Sequence, residues 1–169
     1  MHCCVLNPTA EACLDIVVVK TLHILSSTFL FGTGVGTAFY LLFASRGRDP
    51  KVVAAVARLV VVADWIFTAT TIVFQPASGL YLAHRLGVPL TTPWLYWSLA
   101  LFVIAALCWL PVVWLQMRLR DLAQAAADSG QPLPLRYDGY LGAWAALGVP
   151  ALFSFLTIFY LMTAKPALG

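Results

Sequence analysis

The chain has 169 residues, of which 62% are hydrophobic and only 10% charged, with a mean hydropathy of +0.88 and a formal net charge of +3. Soluble domains average about 45–50% apolar and about 25% charged residues. So little charge cannot cover a water-exposed surface, which excludes a soluble globular protein. The composition predicts an integral membrane protein whose main partner is the lipid bilayer, and no nucleic-acid partner is expected.

The first fourteen residues form a short polar lead, and they lack the basic region of a signal peptide. Three of the four cysteines lie here, at Cys3, Cys4 and Cys13. No second cluster of His or Cys completes a four-ligand set, so a metal site is not predicted from them. Asn7 and Pro8 are residue types that suit the beginning of a helix.

Four apolar runs follow, and a helix needs about 20 residues to span a bilayer. We predict helices at about residues 15–45, 52–85, 93–127 and 139–164. Turn-like stretches separate them, and the alanine-rich end of the third helix is expected to project into water before "SGQPLPL" stops it. The fold class predicted is all-α, a four-helix transmembrane bundle, with residues 1–169 as a single integral membrane domain.

The distribution of Lys and Arg predicts the orientation. Seven of these residues lie near the first and third connections, and three lie at the opposite side. Basic residues favour the cytoplasmic side. We therefore expect a multi-pass protein of the bacterial inner membrane with both termini outside, and an aromatic belt at the outer interface formed by Tyr81, Trp94, Tyr96 and Trp97.

Helix one contains ionisable residues where lipid is expected. Lys20, His23 and Ser27 share one helical face, and Gly32, Gly34 and Gly36 follow farther along. Buried ionisable groups are costly and usually face a bundle interior. Small residues let another helix or a flat ligand approach closely.

Helix two contains a polar stripe on one helical face, which must point inward because lipid cannot satisfy it. The stripe consists of Asp64, Thr68, Thr71, Gln75 and Ser78. Pro76 removes a backbone N–H and is expected to kink this helix.

Matching depths along antiparallel helices predicts a polar pocket in the outer half of the bundle. Its lining would be Lys20, His23, Gln75, Ser78, Ser154 and Thr157. Asp64 would lie near the inner side with Tyr40 and Gln116, and an ion pair between Asp64 and Arg118 would clamp the helices there.

The pocket suggests haem b as a cofactor, because an imidazole in a dry helical bundle is a good axial ligand for iron. His23 would be the metal ligand, Lys20 would pair with a propionate, and Gln75 and Ser78 would surround the ring. His84 is the candidate second ligand, although it lies about 120° from the polar stripe on an ideal helix. The predicted function is then a b-type haem protein in a membrane redox step, and whether it is an enzyme stays open.

Three other interpretations stay open. The stripe from Asp64 to Ser78 could line a path for a small solute or a proton. The chain could instead be a structural subunit that packs against a membrane-protein partner or a second copy of itself. His23 could simply bind Gln75 or a backbone carbonyl and hold the helices together, while the long side chain of Lys20 reaches the interface.

Several short motifs carry a resemblance to a known family. They are "KTLHIL" at residues 20–25, "ADW" at 63–65, "QPASGLYLAH" at 75–84, "PLTTPW" at 89–94, "CWLPVVWLQMRLRDLA" at 108–123 and the closing "AKP". The chain resembles an uncharacterised bacterial family of predicted integral membrane proteins, a domain of unknown function, over nearly its whole length. The resemblance implies a four-helix inner-membrane protein and little about activity.

A weaker likeness is to the membrane-bound, haem-containing protoporphyrinogen oxidase of bacteria. That family has a Lys-x-x-His pattern in its first helix, whose His ligates haem, and Lys20 and His23 match it. The likeness covers one helix of four, and the rest of that family's pattern is absent. Its activity is therefore not transferred to this chain.

Overall fold

The computed structural model describes residues 10–166, with side chains from residue 13 onward. The helices are α1 (Ala10–Gly47), α2 (Pro50–Ala63), α3 (Ala69–Arg85), α4 (Pro93–Ser129) and α5 (Leu135–Ala164), and a π-helical segment, Asp64–Thr68, joins α2 to α3. The described chain therefore forms four helical rods, each long and apolar enough to cross a membrane. The all-α, four-helix transmembrane prediction is confirmed.

The helix bounds lie close to those expected, with two informative differences. Helix α5 begins at Leu135, directly after Pro134, whose fixed φ already suits a helix start. Helix α3 continues through Pro76, and the irregular backbone of this rod lies earlier, at Asp64–Thr68. Cys3, Cys4, Asn7 and Pro8 lie outside the described residues.

The surface of the rods is largely apolar. Val73, Leu107 and Phe153 are each more than 60% exposed, and many other large hydrophobic residues are similarly uncovered. In water such a surface would drive aggregation, whereas acyl chains solvate it without cost. The exposed apolar residues therefore face lipid.

Packing is tightest at the end of the bundle that carries the α1–α2 and α4–α5 connections. Leu41, Val53, Leu119 and Tyr137 are fully buried there, and they belong to one cluster with small residues such as Ala57. The alanines let the helices approach closely. This apolar cluster positions all four rods relative to one another.

The second rod changes its main partner along its length. Before the π-helical segment, α2 packs mainly against α4 and also contacts α1. After it, α3 packs against α1, and α5 packs mainly against α4. The bundle therefore divides into two helix pairs beyond the tightly packed end, and this division leaves space between them.

Polar contacts join α1, α2 and α5 where the chain turns. Asp49 caps α2, accepting a hydrogen bond from the Lys51 backbone N–H at 2.9 Å. Arg48 pairs with Asp138 at 2.9 Å between Nη1 and Oδ1. The buried hydroxyl of Tyr137 lies 2.7 Å from the Ser45 hydroxyl. Because Ser45 donates its hydrogen to the Leu41 carbonyl, Tyr137 donates the hydrogen bond to Ser45.

Candidate functional site

A cavity of about 350 Å³ lies in the space between the two helix pairs. All four rods contribute to its wall, near the middle of α4 and α5 and around the π-helical segment. Most of the wall is apolar, with residues such as Leu30, Ile72 and Phe155. We call it the central cavity.

Asp64 is the ionisable residue in the wall of the central cavity, and it is only 4% exposed. Its Oδ1 accepts a hydrogen bond from the Thr68 hydroxyl at 2.8 Å. Its Oδ2 is buried without a hydrogen-bond partner. A buried, unsatisfied polar atom costs roughly 1–3 kcal/mol, and more when it is charged. Gln116 and Trp109 lie beside the carboxyl, but neither is aligned to satisfy Oδ2.

Other polar atoms of the same cavity are also unsatisfied. Trp109 Nε1, Gln116 Oε1 and Trp144 Nε1 are buried without partners, and these three residues line the cavity. Trp109 and Gln116 are neighbours of the Asp64 carboxyl. Native interiors rarely leave such atoms unpaired, so their concentration in one cavity is typical of a ligand or water site.

The predicted clamp between Asp64 and Arg118 is wrong. Among residues 10–166, Asp64 takes part in no salt bridge. Arg118 instead lies over the Trp114 ring, with its guanidinium carbon 5.3 Å from the ring centroid. Tyr40, expected beside Asp64, is 66% exposed, while Gln116 does lie near the carboxyl as expected.

The π-helical segment begins at Asp64 itself. The Ala69 backbone N–H donates to the Asp64 carbonyl, five residues back. One extra residue in the turn rotates everything after it by about a quarter of a circle relative to a regular helix. The polar stripe is therefore divided: Asp64 and Thr68 line the central cavity, whereas Gln75 and Ser78 contact α1.

His23 forms a second polar site, between α1 and α3. Its Nδ1 lies 2.7 Å from the Ser78 hydroxyl, and its backbone carbonyl accepts a hydrogen bond from Gln75 Nε2 at 3.1 Å. Gly79 makes this approach possible, because a Cβ there would lie 3.3 Å from His23 Cε1. The predicted group of His23, Gln75 and Ser78 is thus brought together.

The remaining residues of the predicted outer pocket lie apart from this group. Lys20 is exposed, and His84 is exposed in the last turn of α3. Ser154 and Thr157 donate to carbonyls of their own helix, those of Pro150 and Phe153. The central cavity contains none of the five residues predicted to bind the cofactor, namely Lys20, His23, Gln75, Ser78 and His84.

The described side chains offer few possible metal ligands. Within residues 10–166, no three His, Cys, Asp or Glu residues lie together as a metal site. His23 and His84 are the histidines of this range, and His84 is exposed. These side chains therefore do not fit a bis-histidine haem, and haem ligation by His23 stays a prediction.

Fold and site together define a four-helix integral membrane protein with a buried carboxyl in an intramembrane cavity. The sequence model of the family described as predicted integral membrane protein (DUF2269) matches residues 17–166. The chain belongs to that family. No curated protein and no solved structure matches it.

Trp109 and Trp144 were not predicted as site residues. Each is a tryptophan in an apolar helix, which the sequence alone cannot distinguish from a lipid-facing one. Gly34 and Gly148 line the same cavity and have open space where a side chain would be.

Proposed function

We propose that this protein binds a small, largely apolar molecule in the central cavity and serves as a small-solute binding or transport module of the membrane. The observation that carries the proposal is the Asp64 carboxyl, buried in the cavity wall with Oδ2 unsatisfied. An ionisable residue inside a membrane is expensive and is usually functional. The π-helical segment that begins at Asp64 supports the proposal, because such segments are frequent at functional sites.

The size and composition of the cavity also favour ligand binding. Ligand sites are typically about 300–1,000 Å³, mostly apolar, with a few polar groups that orient the ligand. The central cavity, at about 350 Å³, is at the small end of that range and has its polar groups around Asp64. A compact molecule or one alkyl chain is the size of ligand that it suits.

Filling the cavity tests this proposal. Gly148 lines the cavity and a Cβ there meets no atom within 4 Å, so Gly148→Leu adds bulk at the cavity wall from a position with open space. Gly142 lies on the same helix, has equally open space and is not in the cavity wall, so Gly142→Leu is the matched control. The probe is radiolabelled decanol, added to protein in lipid nanodiscs.

Wild type and Gly142→Leu should bind decanol saturably at one site per chain, and Gly148→Leu should bind it roughly tenfold more weakly or not at all. Gly34→Leu, with Gly32→Leu as its control, repeats the test on α1. If Gly148→Leu and Gly34→Leu both bind decanol as tightly as wild type, the proposal is overturned.

Haem ligation by His23 is a second candidate, supported by its contact with Ser78. The Ser78 hydroxyl lies 2.7 Å from the Phe74 carbonyl, so when its hydrogen is donated there, His23 must donate from Nδ1. Nε2 then has a free lone pair, and a ligating histidine commonly has its other nitrogen fixed in this way. A haem bound there would supply one-electron redox chemistry.

A visible spectrum of the purified protein tests this candidate. If His23 binds haem, the Soret band should disappear in His23→Ala and persist in His84→Ala. A colourless wild-type protein after expression with a haem precursor would exclude it.

For the cellular location, we propose the bacterial inner membrane with both termini outside. The support is the concentration of Lys and Arg at the end with the α1–α2 and α4–α5 connections, since basic residues favour the cytoplasmic side.

A further inference from the structure

The central cavity is bounded by side chains that also face lipid. Val35 of α1 and Val149 and Leu152 of α5 line the cavity and are 44%, 52% and 38% exposed. These residues lie where α1 and α5 make little contact. The cavity therefore opens sideways into the bilayer between α1 and α5.

Small residues and one aromatic pair define this opening. Gly34 and Gly148 face it from the two helices, with open space where a side chain would be. Toward the end with the termini, Phe31 packs edge-on against Phe159, their ring centroids 5.4 Å apart, and connects α1 to α5. The opening is thus limited on one side by the phenylalanines, and it has open space at both glycines.

The polar end of the cavity combines two acceptors, Asp64 Oδ2 and Gln116 Oε1, with one uncharged donor beside them, the indole N–H of Trp109. Asp64 Oδ2 and Gln116 Oε1 are both buried acceptors without a hydrogen bond, and the two side chains lie beside each other in the cavity wall. No salt bridge in the described chain gives the carboxyl a counter-charge. A primary ammonium supplies three N–H donors and one positive charge, which complements this pair.

We propose that the central cavity binds a hydrophobic primary amine, which enters from the bilayer between α1 and α5 and places its ammonium against Asp64 and Gln116. The alkyl chain then lies along the apolar wall beside Gly34 and Gly148. This inference rests on the proposed function and names its ligand class.

The experiment compares probes that differ in one feature. Radiolabelled decylamine is displaced from protein in nanodiscs by unlabelled decylamine, decanol, decyltrimethylammonium or ethylamine. Decylamine should bind about tenfold or more tightly than decanol. A hydrogen bond between two charged groups is stronger than a hydrogen bond from a neutral hydroxyl. Decyltrimethylammonium, which is charged but has no N–H donor, should be weaker than decylamine by a similar factor.

Ethylamine tests the route and the apolar wall, since it has the same ammonium without the chain. It should not compete at a hundredfold excess over decylamine. Competition by ethylamine at the concentrations where decylamine competes would overturn binding from the bilayer.

Asp64→Asn should lower decylamine affinity roughly tenfold or more and lower decanol affinity by a clearly smaller factor, because it keeps the size of the side chain and removes the charge that only the ammonium complements. Equal binding of decylamine and decanol by wild type would overturn the amine class while leaving the proposed function intact. Loss of saturable binding for both probes would overturn the two together. The comparison of decylamine with decyltrimethylammonium needs only wild-type protein, so it decides the ligand class even if Asp64→Asn does not fold.

Discussion

Gly79 is the residue that lets His23 lie directly against α3. A Cβ at this position would be 3.3 Å from His23 Cε1, closer than most real contacts of a Cβ. The short distance allows Ser78 and Gln75 to reach the ring nitrogen and the backbone carbonyl of the same histidine. A glycine is thus favoured here by a close approach rather than by backbone conformation.

We predict that Gly79→Ala makes the protein less stable than the control Gly32→Ala by about 1 kcal/mol. Alanine favours a helix over glycine at both positions by about 0.5–1 kcal/mol, so the comparison isolates the contact with His23. Gly32 has open space around it. The free energy of unfolding in mixed micelles is the measurement.

A double-mutant cycle provides the control for this prediction. In a His23→Ala background the difference between Gly79→Ala and Gly32→Ala should disappear, because the clashing ring is gone. A difference that persists would mean that another contact of Gly79 is responsible.

At the scale of elements, the turn between α1 and α2 shows how a short connection is held. Helix α1 ends at Gly47 and α2 begins at Pro50, so the rod reverses direction over two residues. Arg48 adopts a positive φ of 52°, which is unfavourable for a residue with a side chain. Asp49 caps α2, and Pro50 occupies the first helical position, where its missing N–H costs nothing.

We expect Asp49→Ala to lower the free energy of unfolding by about 1 kcal/mol, the usual cost of losing such a cap. Asp121→Ala is the matched control, because the exposed Asp121 pairs with its half-buried neighbour Arg120 at the surface and such pairs contribute little. Thermal unfolding in detergent, followed by circular dichroism at 222 nm, measures both. An equal loss in the two variants would contradict the role of the cap.

The π-helical segment is the element that sequence reasoning could not find. The spacing of the stripe from Asp64 to Ser78 fits a regular helix, and no residue in Asp64–Thr68 marks an extra residue in the turn. Proline would be the expected cause of irregularity, yet α3 continues through Pro76. The segment forms where the rod leaves α4 and turns to α1, so tertiary packing decides its position.

At the scale of the whole molecule, the described residues form four candidate spans, and an even number of spans predicts that residues 10 and 166 lie on the same side of the membrane. The charge bias predicts that this side is the outside. A single cysteine is introduced at Gln131, in the α4–α5 connection, or at Leu90, in the α3–α4 connection, after the native cysteines are replaced by serine.

In intact cells, a membrane-impermeant maleimide should label the cysteine at position 90 and not the one at position 131. After the cells are broken, both should react, which shows that each position is reactive when reached. Labelling of position 131 alone in intact cells would reverse the proposed orientation.

The sequence by itself determined the class of the protein and the four candidate spans of residues 10–166. Four apolar runs, too little charge for a soluble surface and turn-forming breaks are local properties, and they predicted the four helices with small differences at their ends. It also predicted that His23, Gln75 and Ser78 come together, because facing positions on neighbouring antiparallel helices lie at equal depth.

Only the tertiary structure decided where the enclosed space lies. The central cavity exists because the rods form two pairs beyond their tightly packed end, and because the π-helical segment directs Asp64 inward while Ser78 faces α1. Contacts between residues far apart in the chain decide which helices pair. They also decide where the π-helical segment forms and how far it turns the polar side of the helix that follows. Hydrophobic periodicity within one helix contains no information about those contacts.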